Sequence, residues 1–185
     1  MNKLWFTSDL HFYHKSINRF CPNTRTGQNA LEMNEDLINT WNEQVADEDE
    51  VYILGDVSFS GHDRARLCLE RLKGKKHIIL GNHDKIKIYQ GMRDILESVE
   101  YYKTLKLEGR KVILFHYPIF EWDAMSHGSF HLHGHTHGLD INMGEGRYLD
   151  VGIDTRPDYK LYSWEEVKSI LENKPILSRR GRENE

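Results

Sequence analysis

Thr7-Ser8-Asp9-Leu10-His11, Gly55-Asp56, Gly81-Asn82-His83-Asp84, His116-Tyr117 and His133-Gly134-His135-Thr136-His137 are the stretches that decide how this chain folds. Each follows on a short apolar or β-branched run: Lys3 to Thr7, Val51 to Leu54, His77 to Leu80, Val112 to Phe115 and Phe130 to His133. Such runs predict strands, and Tyr148 to Ile153 predicts a sixth. In open α/β sheets ligands gather outside the carboxyl ends of strands, so five separate segments are expected to send side chains into one crevice. Asp9 and His11 lie two apart, as do His135 and His137, a spacing that puts each pair on one face of an extended segment. Gly55, Gly81 and Gly134 sit beside these residues, where the lack of a Cβ permits a sharp turn and close backbone approach.

Between the strands, helical periodicity places Leu37, Ile38, Trp41 and Val45 on one face of Leu31 to Val45, and Ala65, Cys68, Leu69 and Leu72 on one face of Arg64 to Leu72. Ile88, Met92, Ile95 and Leu96 mark a weaker third helix. Ser163 and Glu166 form a capping box that opens a helix running to about Asn173. Glu108-Gly109-Arg110-Lys111 supplies a hairpin turn, so the later strands are expected to be partly antiparallel. The class is α/β with a mixed sheet. The length, 185 residues, suits one domain, assigned to residues 1–177, with residues 178–185 expected to be a disordered tail.

Composition narrows the function classes. With 38% hydrophobic and 29% charged residues the chain is ordinary for a soluble protein. No stretch approaches the ~20 apolar residues of a membrane span. The short apolar start is too brief for a signal peptide, which leads to an expected cytoplasmic location. Cys21 and Cys68 cannot make a disulfide framework or a thiolate zinc site. A net charge of −4 lacks the basic footprint of a dedicated nucleic-acid binder. The unusual number is 11 histidines.

Asp9, His11, Asp56, Asn82, His116, His135 and His137 are seven oxygen or imidazole donors, more than one tetrahedral zinc uses, so two ions are implied. Donors without thiolate suit Mn, Fe or Zn, with Mn favoured and Ni kept among the alternatives. Paired ions clamp the attacking and leaving oxygens in phosphate-ester hydrolysis, which makes that the natural chemistry.

In their order and spacing these blocks resemble the calcineurin-like metallophosphoesterases, with their Asp-x-His, Gly-Asp, Gly-Asn-His-Asp/Glu, His and Gly-His-x-His signatures. Thr7 to His14 is similar to a small single-domain bacterial and phage branch, and the resemblance runs through Leu171. It implies a four-layer αββα sandwich with two mixed β-sheets face to face. It further implies that Asp9, His11, Asp56 and His137 hold one divalent ion and Asp56, Asn82, His116 and His135 the other, with Asp56 as bridge. His83 is then the non-ligand that donates a proton to the leaving group or steadies the transition state, Asp84 orients it, and the nucleophile is a water or hydroxide bridging the ions. The implied activity is hydrolysis of a phosphodiester or phosphomonoester, a small nucleotide-like substrate being favoured.

Other readings remain. A nuclease is disfavoured by the acidic balance, since backbone phosphates recruit many Lys and Arg. A non-enzymatic scaffold of the same fold is disfavoured by the complete ligand set and His83. The alternating His131 to His135 has the look of a metallo-β-lactamase-type hydrolase but lacks the following Asp-His. Val57-Ser58-Phe59-Ser60-Gly61 stands where protein phosphatases carry an Asp-Arg-Gly ending, and Asp84 replaces their glutamate, which argues against that activity. His14, His127, His131 and His133 are candidates for support or substrate contact. Phe12, Tyr13, Tyr117, Phe120 and Trp122 are either core or rim the cleft and stack on a base, with core favoured for each. Arg19 and Arg25, in the loop after the first motif, are candidates to meet a phosphate, with simple exposure favoured.

Overall fold

A computed structural model of the chain describes residues 2–25 and 27–177; the expected tail at 178–185 lies outside them. In chain order the elements are β1 (Leu4–Thr7), α1 (Ile17–Phe20), α2 (Ala30–Gln44), β2 (Glu50–Ile53), α3 (His62–Leu69), β3 (Lys75–Ile79), α4 (Ile86–Tyr89), β4 (Ser98–Glu100), β5 (Tyr102–Leu107), β6 (Arg110–Phe115), β7 (Phe130–His133), β8 (Tyr148–Asp150), β9 (Tyr162–Ser163) and α5 (Trp164–Glu172). The first sheet runs β4-β3-β2-β1-β9, parallel except that β9 is antiparallel to β1. The second runs β5-β6-β7-β8, with only β5 antiparallel. Both sheets are mixed.

Their alternation explains the stacking. Trp5, Val51, Ile53, Ile78 and Leu80 turn outward onto Met33, Leu37, Ile38 and Trp41 of α2 and Ala65, Cys68 and Leu69 of α3. Phe6, Tyr52, Leu54 and Ile79 turn the other way, onto Val112, Leu114, Phe130 and Leu132 of the second sheet. Central strands buried on both faces read as continuous apolar runs, as β2 and β3 do. On the far face of the second sheet Ile113 packs against Trp122 and Met125. There the cover is a loop holding a 3₁₀ turn, Met125–His127, kept short by left-handed residues on either side, Ala124 (φ 58°) and Gly128 (φ 80°). The helix α5 adds Trp164, Val167 and Leu171 to the core between the sheets. Among the described residues, no helix is long and apolar enough to cross a membrane.

Some boundaries move. The β5–β6 turn is only Glu108-Gly109, both left-handed (φ 49° and 82°), so Leu107 pairs with Arg110 in the tight hairpin such residues favour. The third helix closes at Tyr89, before Gly91; Met92 and Leu96 reach the core from turns. The strand expected to reach Ile153 ends at Asp150, and Ile153–Thr155 is a 3₁₀ turn. The capping box is present: Ser163 Oγ accepts from Glu166 N at 3.2 Å and the Glu166 carboxylate accepts from Ser163 N at 2.9 Å. Ser163→Ala is expected to cost about 1 kcal/mol. Thermal unfolding will register this as a fall of roughly 2–4 °C.

Candidate metal centre

Where the strands end, the backbone turns left-handed. Asp9 (φ 58°) and His11 (φ 51°) follow β1, Asp56 (φ 52°) follows β2, and His135 (φ 70°) and His137 (φ 50°) follow β7. Non-glycine residues adopt this conformation only when their surroundings impose it, at about 1–3 kcal/mol each. Here Asp9 N donates to Gly55 O at 3.0 Å and His11 N to Asp56 O at 2.9 Å, stitching the first two loops together. His135 N donates to Asp9 Oδ2 and His83 N to Asp56 Oδ1, both at 3.0 Å. These bonds occupy one oxygen of each carboxylate and turn the other inward. Glycine is required at these crowded points: a Cβ on Gly134 would run into Ser8 Oγ and Asp9 Oδ2, one on Gly81 into Asp56 Oδ1, and one on Gly55 into His116 Nδ1 and the Gly81 backbone.

The structure brings all seven expected ligands into one cluster. His11 Nε2 and His137 Nε2 stand 3.7 and 3.9 Å from Asp9 Oδ1. Asp56 Oδ2 lies 3.8 Å from His11 Nε2 and 3.7 Å from His116 Nε2, between the two groups, as a shared ligand would. Asn82 Oδ1 is 2.8 Å from His116 Nε2 and 3.0 Å from His135 Nδ1. Ligand atoms of Asp9, His11 and His137, and again of Asp9, Asp56 and His116, fall within 4.8 Å of one another.

The donor set fits a cation. Asp9 Oδ1 and both ring nitrogens of His11 are buried with no hydrogen-bond partner. Buried polar atoms are normally paired, so these point to a charge that belongs between them. His116 Nδ1 faces Leu54 O at 2.7 Å. A carbonyl only accepts, so Nδ1 carries a proton, and Nε2 is the atom turned toward the Asn82 oxygen. Burial pushes the Asp9 carboxyl up to about 7, against the pull of His137, and holds the His11 imidazole down to about 2. Each group resists its own charge in this pocket, which a divalent ion would reverse for Asp9.

Behind the ligands stand Asp154, Asp150 and Cys21, to which sequence reasoning assigns no role at the centre, and Arg25, to which it assigns a different one. Arg25 is buried, not exposed as expected. It gives Nε and Nη2 to the Asp154 carboxylate at 2.8 and 2.6 Å, Nη2 to Asp9 O at 2.6 Å and Nη1 to Leu10 O at 3.0 Å. Asp154 Oδ2 in turn accepts from His137 Nδ1 at 2.7 Å. Cys21 Sγ approaches the same His137 nitrogen at 3.6 Å. Asp150 accepts from Thr136 Oγ1 and Gly138 N, bracing the loop that carries His135 and His137.

Asp84 departs from its expected role. Its oxygens accept from Asp56 N (2.7 Å), Gly81 N (2.9 Å), Val57 N (3.1 Å) and Tyr89 Oη (2.7 Å). Four donors fill a carboxylate's lone pairs, so Asp84 fixes the loops carrying Asp56 and Asn82 rather than the His83 ring. That ring is 46% exposed, with Nε2 4.0 Å from Asp56 Oδ2, and packs against Phe59 at 4.4 Å.

Of the remaining histidines, His131 and His133 are buried and bonded to the carbonyls of Ile113 and Gly134. His14 lies 5.6 Å from the His11 ring, and His127 is in the 3₁₀ turn. Phe12 and Trp122 are core, whereas Tyr117 and Phe120 are exposed.

A family model described as calcineurin-like phosphoesterase matches residues 2–178. The chain belongs to that family. An uncharacterised protein of Methanocaldococcus jannaschii is 35% identical over 184 residues, covering 96% of each chain. The gene 66 protein of Mycobacterium phage D29 is 31% identical, covering 92% of this chain and 96% of its own. Among solved structures, an Aquifex aeolicus protein of unknown function matches with a TM-score of 0.72 at 22% identity, over 92% of this chain and all of that one.

Removing one partner of a buried ion pair strands the other charge, so Arg25→Met is expected to cost about 3–5 kcal/mol of unfolding free energy in denaturant titrations. The double variant Arg25→Met, Asp154→Leu should recover much of this. A single variant as stable as the native protein contradicts the role given to Arg25.

Proposed function

We propose that the protein is a phosphoesterase dependent on two divalent ions, Mn favoured, that hydrolyses a small nucleotide-like phosphodiester or phosphomonoester. The observation that supports this best is the meeting of Asp9 Oδ1, His11 Nε2, Asp56 Oδ2, Asn82 Oδ1 and the His116 and His137 Nε2 atoms, among which the buried Asp9 Oδ1 and His11 Nε2 have no hydrogen-bond partner. Asp9, His11, Asp56 and His137 would hold one ion, and Asp56, Asn82, His116 and His135 the other. When bound, the pair supplies an activated water and neutralises charge on the phosphoryl oxygens.

The chain's own part is positional and protonic. His137 Nδ1 donates to Asp154 and His116 Nδ1 to Leu54 O, which leaves each Nε2 as the inward atom and fixes the ring. The His83 ring, fixed on the backbone side by its N–H bond to Asp56, stands at the open side of the cluster, where it can carry a proton to a departing oxygen. The Asn82 amide nitrogen can meet an equatorial oxygen of the ester.

Turnover of bis(p-nitrophenyl) phosphate with Mn, abolished by chelator, is the expected result; no hydrolysis of any phosphoester with any of Mn, Fe, Zn or Ni would overturn the assignment. His83→Ala should retain both ions by titration and lose about 10²–10⁴-fold in kcat. Asp56→Asn should lose at least one ion. Because an ion that binds only the folded state stabilises it by mass action, chelator is also expected to lower the melting temperature.

A further inference from the structure

Two aromatic rings stand exposed beside the metal centre, and no candidate ligand touches both. Phe59, 40% exposed, lies 5.2 Å from His11, 4.1 Å from His14 and 4.4 Å from His83. Tyr117, 36% exposed, lies 5.0 Å from His116 and 4.8 Å from His135. Phe59 therefore borders the ligands of one proposed ion, and Tyr117 those of the other. Phe59 N donates to Phe12 O at 2.9 Å and the neighbouring Ser58 pairs with Phe12, which ties the backbone beneath the ring to the loop after β1. Tyr117 follows directly on His116, whose own ring is tied to Leu54 O.

Charge limits what such a surface can take. The protein carries a net −4, and the arginine that touches the ligand loop, Arg25, is buried and bonded to Asp154, Asp9 and Leu10. Binding of a long phosphate backbone depends on many cationic contacts, whereas stacking of a base on an aromatic ring does not. What fits is one scissile phosphate at the ions with a flat aromatic group on each side.

We propose that Phe59 and Tyr117 are stacking subsites on opposite sides of the centre, and that the substrate is a phosphodiester joining two nucleosides. The leaving nucleoside lies against Phe59, because that ring packs on His83. The inference rests on the phosphoesterase reading. In the step, water adds its oxygen to phosphorus and gives up one proton, the P–O bond to the nucleoside on the Phe59 side breaks with its electron pair on oxygen, and that oxygen takes up one proton relayed by His83, so that none is gained or lost overall. A nucleoside and a nucleoside monophosphate result. Because every base has a π-face, the preference extends to all four bases.

The test uses the Mn-loaded full chain with thymidylyl-(3′→5′)-thymidine and the two methyl esters that keep one nucleoside each, thymidine 3′-(methyl phosphate) and thymidine 5′-(methyl phosphate). All three carry alkoxide leaving groups, so recognition dominates the comparison. Native protein should show a KM for the dinucleotide about tenfold or more below that of either methyl ester. Phe59→Ala and Tyr117→Ala should each erase one of the two advantages with kcat within a few-fold, and Phe59→Trp should restore the first. Equal KM values for the three esters in native protein overturn the proposal. So does an equal loss of kcat on all three in Phe59→Ala, which would make Phe59 only a support for His83. If bis(p-nitrophenyl) phosphate is hydrolysed and the dinucleotide is not, the substrate class is wrong and the phosphoesterase reading stands. If neither is hydrolysed, that reading fails first.

Discussion

A carboxylate oxygen and an imidazole, buried in one pocket without a hydrogen-bond partner, set the terms for the rest of this molecule. Asp9 and His11 are almost wholly buried at the centre, with Asp9 Oδ1 and both His11 nitrogens unpartnered. Five of the seven proposed ligands stand in the left-handed region. At about 1–3 kcal/mol each, that backbone alone sums to several kcal/mol, comparable with the net stability of a domain. Such an arrangement persists only if other interactions over-determine it. The stitching of the β1 and β2 loops, the glycine contacts at residues 81 and 134 and the two carboxylate hubs at Asp84 and Asp154 all act on these same strand ends.

The centre also lies across the joint between the sheets. The first sheet delivers Asp9, His11, Asp56 and Asn82; the second delivers His116, His135 and His137. The spacing between the two halves is set by the apolar layer of Phe6, Leu54, Ile79, Val112, Leu114, Phe130 and Leu132. A close-packed interior transmits changes of volume instead of absorbing them. A cavity in that layer would thus disturb distances of 3.7 Å, such as Asp56 to His116, although no substituted residue touched a ligand.

What the chain displays locally could be read from it. Strand ends carrying Asp, Asn and His, the α2 and α3 stripes and the Ser163 capping box are patterns within about a dozen residues, and all have counterparts in the structure. Asp154 meets Arg25 across 129 positions, and neither lies in a periodic or signature stretch. An arginine judged by its type alone is expected at the surface, and only the partner reveals otherwise. Asp84 shows a subtler limit. Its place beside His83 in sequence suggested a bond to that ring, yet its carboxylate is taken up by main-chain amides 27 and 28 positions earlier. Phe59 is not among the aromatic candidates of the sequence, because its nearness to His11, His14 and His83 joins separate stretches that sequence spacing does not bring together.

The buried Arg25–Asp154 pair shows why such features resist valuation as stability alone. Both side chains are essentially inaccessible, and desolvating two charges roughly cancels their attraction. Well-packed apolar residues would hold the fold about as well. They could not donate to the carbonyls of Asp9 and Leu10, nor accept from His137 Nδ1. A planar guanidinium does both kinds of work at once, because its donors project in fixed directions where an ammonium would offer a mobile point charge. The pair is therefore best understood as geometry: it joins the loop after β1 to the loop after β7, so that Asp9 and His137 face the same point from different sheets. Asp84 plays the matching part between the loops after β2 and β3. Each hub ties two ligand-bearing loops together, and the chain needs both because its ligands come from strands that no single turn connects.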